Sequence, residues 1–152
     1  MFSPLSSHLA LVMLILGAKG KTKTQLKSGL GFSTEDGVQS LRKKSLISKY
    51  RYALRKTVTK DQLKVEMANI AYLAKKPSNK FNKLIFALSG EKPSVIDFKK
   101  EPEVRGVINQ FVQNRTHGKI KNLIKKGFIK GKAAFIIVNA LYFKGKTSMV
   151  HF

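Results

Sequence analysis

At 152 residues the chain has the length of one ordinary domain, and a hydrophobic content of 43% is enough to build a core. It has no cysteine, which excludes a disulfide framework, a thiolate metal site and a cysteine nucleophile; its three histidines, His8, His117 and His151, lack metal-ligand spacing. Thirty basic against eight acidic residues leave a net charge of +22, which draws the chain toward polyanions such as sulfated glycosaminoglycan, nucleic acid or anionic lipid and is silent about fold.

The N-terminal residues predict a buried helix. Ser3 is placed to cap it, Pro4 suits its first turn, and the apolar run Leu9 to Leu16 follows. That run also has the length of a signal-peptide core, but no basic residue precedes it and a cleavage after Ala18 would put Leu16 where a small residue belongs. No signal peptide is read here. A helix apolar all round belongs in the middle of a large protein. A second, short helix is expected over Thr22 to Phe32, with Thr22 and Gln25 as a capping box and Gly29 and Gly31 as its stop.

Asp36 to about Lys56 reads as a third helix, acidic at its start and basic through the rest, in keeping with the helix dipole. From Gly37 to Lys60 there is no acid, and Arg42, Lys43, Lys44, Lys49, Arg51, Arg55 and Lys56 are candidate polyanion-binding residues. Leu63 to Ala74 reads as a strand ended by Lys75-Lys76-Pro77. Phe81, Leu84, Ile85 and Leu88 fall at helical spacing, and Pro93 to Phe98 reads as a short strand. Glu101 to Gly118 is the clearest helix: Val104, Val107, Ile108, Phe111 and Val112 form one face, and His117-Gly118 provides a left-handed exit. Within it, Asn114-Arg115-Thr116 is a candidate glycosylation site. Ile120 to Lys132 is a basic connector with Leu123, Ile124, Phe128 and Ile129 as expected buried anchors.

Phe135 to Gly145 reads as a strand buried on both faces in the middle of a sheet. Its one residue before the closing Lys144 that is neither apolar nor aromatic is Asn139, which needs a specific partner, because an unpaired buried carboxamide costs about 1–3 kcal/mol. No nucleophile–base pair, carboxylate pair or phosphate loop appears, so catalytic residues are expected to be none, metal ligands none and cofactors none.

Six motifs in this order, F-S-P-L-S, G-A-K-G, A-N-x-x-Y, V-x-D-F, I-N-x-x-V-x-x-x-T-x-G-K-I and V-N-A-x-Y-F-K-G, resemble the serpin family of serine protease inhibitors. The resemblance runs from Phe2 to Phe152 and implies an α+β fold, a partial serpin domain over 1–152 with early helices and strands 1, 2 and 3 of the family's central sheet A. It implies that the first helix, the reactive-centre loop and the C-terminal sheets B and C are not in this chain, so no reactive-centre bond can be named. Ser3, Ser6 and Asn139 fall at the positions called the shutter, beneath the central strands. The basic helix falls where the family carries its heparin site in those members that have one. Three departures stand out: Phe111 and Thr147 where tryptophan is usual, and His117 where asparagine is usual.

The expected function is that of a serpin-family inhibitor of serine-type endopeptidases, present as a fragment inactive by itself, or alternatively a basic heparin-binding module, or a degenerate copy without a role. Expected partners are a serine protease for the full-length family member, a heparin-like polyanion, and a second copy through the exposed sheet edge, with no membrane. An extracellular location follows from the family.

Overall fold

The computed structural model describes residues 4–33 and 63–145. Helix α1 spans Pro4–Gly17 and α2 Gly20–Gly29; strand β1 runs Leu63–Leu73, followed by helix α3 over Asn79–Ser89, strand β2 over Ser94–Val95, helix α4 over Glu101–Arg115 and strand β3 over Phe135–Gly145. The expected basic helix, Asp36 to Lys56, lies outside the described residues, as does Ser3.

The three strands form one mixed sheet in the order β2-β1-β3. β1 and β3 pair antiparallel along their whole length, from Leu63 opposite Gly145 to Leu73 opposite Phe135, while β2 adds two parallel pairs, Tyr72 with Ser94 and Leu73 with Val95. β3 has the bounds read from its apolar run, but among the described residues β1 holds the middle position and β3 an edge. Two layers cover the sheet. Ala68, Ile70 and Tyr72 of β1 and Val138 and Ala140 of β3 face a cluster with Val104, Ile108 and Val112 of α4. The alternate residues, Ala71 of β1 with the half-buried Phe135 and Ile137 of β3, face Leu9, Val12, Met13 and Ile15 of α1 and Ile85 and Leu88 of α3. This alternation is the two-residue period of a strand with both faces covered.

The helices follow local signals with one exception. α3 is capped by Ser78, whose hydroxyl accepts from the Phe81 amide at 3.3 Å, and ends at Gly90 in the left-handed region at φ 79°. α4 leaves through His117 and Gly118, at φ 50° and 75°, as expected. α2 is the exception: it starts at Gly20, after Lys19 with no side-chain cap, so the capping box at Thr22 is not formed. Only Ala18 and Lys19 separate the two helices, and the chain is already helical when it reaches Thr22.

The connector after α4 corrects a second expectation. Ile124 and Ile129 are buried in the α4 layer, but Leu123 is 44% exposed and Phe128 73%. Adjacent residues in this irregular segment project to opposite sides, so each pair seats one member and turns the other out.

Candidate functional site

Polar residues buried between α1 and the sheet meet at one junction. Asn69 and Asn139 are directly opposite each other in the β1–β3 register. Both belong to the α1-facing set of the sheet by strand alternation. The Asn139 side-chain amide donates to the Ser6 carbonyl at 2.9 Å, to the Ser6 hydroxyl and to the Asn69 side-chain carbonyl. Ser6 is fully buried and Asn69 is 1% exposed. An amide group has two hydrogens, so three acceptors must share them. Helix α1 is thereby tied, through its first turn, to the midpoint of the β1–β3 ladder. Such a junction discriminates: a shift of β3 by one residue would send Asn139 to the opposite face and leave the buried Ser6 and Asn69 oxygens without this donor.

A second polar set holds the outer layer. Asn109, buried in α4, accepts from the Ile124 amide at 2.8 Å and donates to the Ile124 carbonyl at 3.0 Å. Thr116, also buried, donates to the Val112 carbonyl at 2.7 Å and accepts from the Ile120 amide at 3.1 Å. Just beyond it, His117 Nε2 lies 2.8 Å from Glu66 Oε2 of β1, and its ring packs on Tyr142 of β3 at a centroid distance of 4.5 Å. Glu66 and Tyr142 are themselves opposite in register. The exit of α4 therefore touches both long strands at once.

Tyr72 is buried near the end of the middle strand β1, and its phenol is pushed up to about 12, first by burial and then by the negative charge of Glu91. It stays neutral at physiological pH and serves as packing.

Of the shutter residues named from sequence, Ser6 and Asn139 are in direct contact and Ser3 lies outside the described residues. Arg42, Lys43, Lys44, Lys49, Arg51, Arg55 and Lys56 lie outside them as well. Asn114 is exposed on the last turn of α4 and its Oδ1 accepts from Gln110 at 2.8 Å, whereas the hydroxyl of its sequon partner Thr116 is buried. Among the described residues there is no group of three or more metal-ligating side chains, and no helix is long and apolar enough to cross a membrane. Asn69 and Asn109 stand in the A-N-x-x-Y and I-N-x-x-V motifs, but sequence reading gives neither a role at a site. Asn69 carries a weaker form of the signal that marks Asn139: it is the one carboxamide in β1, within the apolar half that follows Lys64 and Glu66. Asn109 sits beside Ile108 and one turn from Val112, where a polar residue in a buried face calls for a partner, whereas Val107, expected on that face, is 48% exposed.

An α+β framework with one helix buried behind a mixed sheet, another laid across its front, and a polar knot under the central ladder defines a serpin-type domain in part. A family model described as serpin (serine protease inhibitor) matches residues 1–150. The chain belongs to the serpin family. It is 30% identical to alpha-1-antichymotrypsin of Pongo abelii, over 97% of this chain and 34% of that protein, and 32% identical to serpin B11 of Mus musculus, over 95% of this chain and 40% of that one. Among solved structures, the native stressed conformation of Arabidopsis AtSerpin1 superposes with a TM-score of 0.79 at 28% identity, covering 95% of this chain and 36% of that one. The chain thus spans between a third and two fifths of the length of these curated relatives.

Proposed function

We propose that residues 1–152 are the N-terminal, sheet-bearing part of a serpin-type inhibitor of serine endopeptidases that acts outside the cell. In this reading the protein is not an enzyme. A protease cleaves an exposed loop supplied by the remainder of the polypeptide and becomes trapped as an acyl ester. The loop then adds to the sheet as a strand beside β3 and drags the enzyme with it. The observation that carries the reading is the Asn139–Ser6–Asn69 junction, set at the middle of the strand whose outer edge is free among the described residues. Ser3, Ser6 and Asn139 are the gate residues in this reading, and the Ser6–Asn139 contact holds α1 against β3 until the sheet widens. Residues 1–152 alone provide the gate without the loop and do not inhibit. The test is incubation of the intact protein, and separately of residues 1–152, with chymotrypsin- and trypsin-like proteases. A covalent complex that survives SDS, formed by the intact protein only, supports the proposal. Cleavage of the intact protein without any such complex sinks it.

A second reading, polyanion binding, is favoured by the net charge of +22 and by the acid-free basic segment Gly37 to Lys60. Here Arg42, Lys43, Lys44, Lys49, Arg51, Arg55 and Lys56 bind a heparin-like chain as a cofactor for inhibition. Retention on immobilised heparin with a steep salt dependence, lost when Lys43, Lys44 and Arg51 are replaced by Glu, supports it. Elution at low salt, or retention unaffected by those changes, rules it out.

A further inference from the structure

The connector between α4 and β3 presents a second basic surface, of different character. Within residues 119–132 there are six lysines, Lys119, Lys121, Lys125, Lys126, Lys130 and Lys132, all exposed, and no acid. From Val104 to Phe152 the sequence has no acid at all. Among these lysines stand three large apolar side chains open to water: Ile120 at 39%, Leu123 at 44% and Phe128 at 73% exposed. Single exposed apolar residues are ordinary. Three so close in sequence, interleaved with lysines, bring apolar and cationic side chains together on one short exposed segment.

The segment is also fixed in place. Ile124 and Ile129 anchor its inner side, Asn109 holds both the amide and the carbonyl of Ile124, and Glu101 accepts from the Gly127 amide at 3.3 Å. A turn at Gly127, with φ 79° and a bond from the Phe128 amide to the Lys125 carbonyl at 3.2 Å, lifts Phe128 out between Lys126 and Lys130. The phenyl ring is therefore displayed by a built turn and not by a loose end.

We propose that residues 119–132 dock on an anionic lipid bilayer, with the lysines on the headgroups and Phe128, Leu123 and Ile120 entering the interface. Charge complementarity selects an anionic partner. The apolar residues select among anionic partners. A sulfated polysaccharide offers nothing to Phe128, and a nucleic acid could stack on its ring but not on Leu123 or Ile120. A bilayer interface gives all three an apolar environment while lysines work alongside, and clusters of about four to eight basic residues are a recognised footprint on anionic lipid. This is surface association, consistent with the absence of a membrane-crossing helix among the described residues, and it departs from the sequence-based expectation of no membrane partner. It does not depend on inhibitory activity.

Residues 1–152 contain no tryptophan, so Phe128→Trp in the intact protein adds an indole reporter whose emission is read as a difference from the unsubstituted protein. The probes are vesicles of phosphatidylserine in phosphatidylcholine, vesicles of phosphatidylcholine alone, heparin, and a single-stranded oligonucleotide. The expected result is a blue shift with the mixed vesicles only, quenched by brominated phosphatidylcholine and reversed by salt. Co-sedimentation with the mixed vesicles should weaken by about tenfold for Lys125→Glu with Lys126→Glu, and measurably for Phe128→Ser, while circular dichroism stays unchanged. The proposal is overturned if the protein binds the vesicles while the indole reporter stays in water, if it does not bind them at all, or if heparin or the oligonucleotide produces the same shift.

Discussion

The side-chain amide of Asn139 donates to the backbone carbonyl of Ser6 at 2.9 Å across 133 positions of sequence. With the companion bond to the Ser6 hydroxyl it ties α1 to β3, and both ends are buried or half-buried, so its loss has a definite cost. Asn139→Ala leaves the Ser6 hydroxyl and the Asn69 carbonyl without this donor and should destabilise the intact protein by about 1–3 kcal/mol. Ser6→Ala added to it should cost less than the two single changes summed, because the residues act as a unit. Urea unfolding of the two single variants and the double variant measures this. Strict additivity would mean that the contact carries no coupling.

The Asn109 clamp should govern how tightly the connector lies on α4. Asn109→Ala takes both partners from the Ile124 backbone, at a cost of about 1–3 kcal/mol. Hydrogen exchange of residues 120–129 should quicken before that of β1 or β3. Unchanged protection of the Ile124 amide would show that the clamp is idle.

Tyr72 sets an alkaline limit. Its phenol ionises at the ordinary 10.0 in the unfolded chain and at about 12 in the folded one. The unfolded chain therefore releases its proton first as pH rises, and stability falls between these two values. The contribution is fully present below about pH 10 and amounts to about 2–3 kcal/mol at most, at roughly 1.36 kcal/mol per pH unit. Tyr72→Phe should flatten the fall of thermal midpoint across that window. A slope equal to that of the unsubstituted protein would contradict the assignment.

β3 should be a liability when residues 1–152 are produced alone. It pairs with β1 on one side and with no strand on the other among the described residues, and it carries Phe143 at 49% exposure. A long apolar edge recruits another strand. Sedimentation velocity is expected to show dimers or larger species that grow with concentration, in spite of the charge of +22. A monodisperse monomer that unfolds cooperatively would refute this.

How much was legible in the sequence depended on whether the signal was local. β3 is legible as an apolar run and β1 as an alternation that turns apolar, and their bounds agree with the reading to within about a residue. Asn139 was legible because a lone carboxamide in such a run demands a partner. Its partners were not, since Ser6 and Asn69 are brought to it by strand register and helix packing, which one residue's neighbours in sequence do not encode. The connector shows the same limit: Leu123, Ile124, Phe128 and Ile129 are alike in hydropathy, and only the three-dimensional path decides that two go in and two go out. The start of α2 failed for the opposite reason. Thr22 and Gln25 carry a genuine local pattern, and the two-residue link from α1 overrode it.

The most direct test of the central claim is the heat stability of the intact protein before and after a single cleavage by its target protease. If a cleaved loop adds as a strand along the open edge of β3, the backbone groups beside Asn139 become paired and the unfolding midpoint rises sharply. That rise is expected together with slowed hydrogen exchange over Phe135–Gly145. A midpoint that stays level or falls on cleavage, with β3 no better protected, would contradict it.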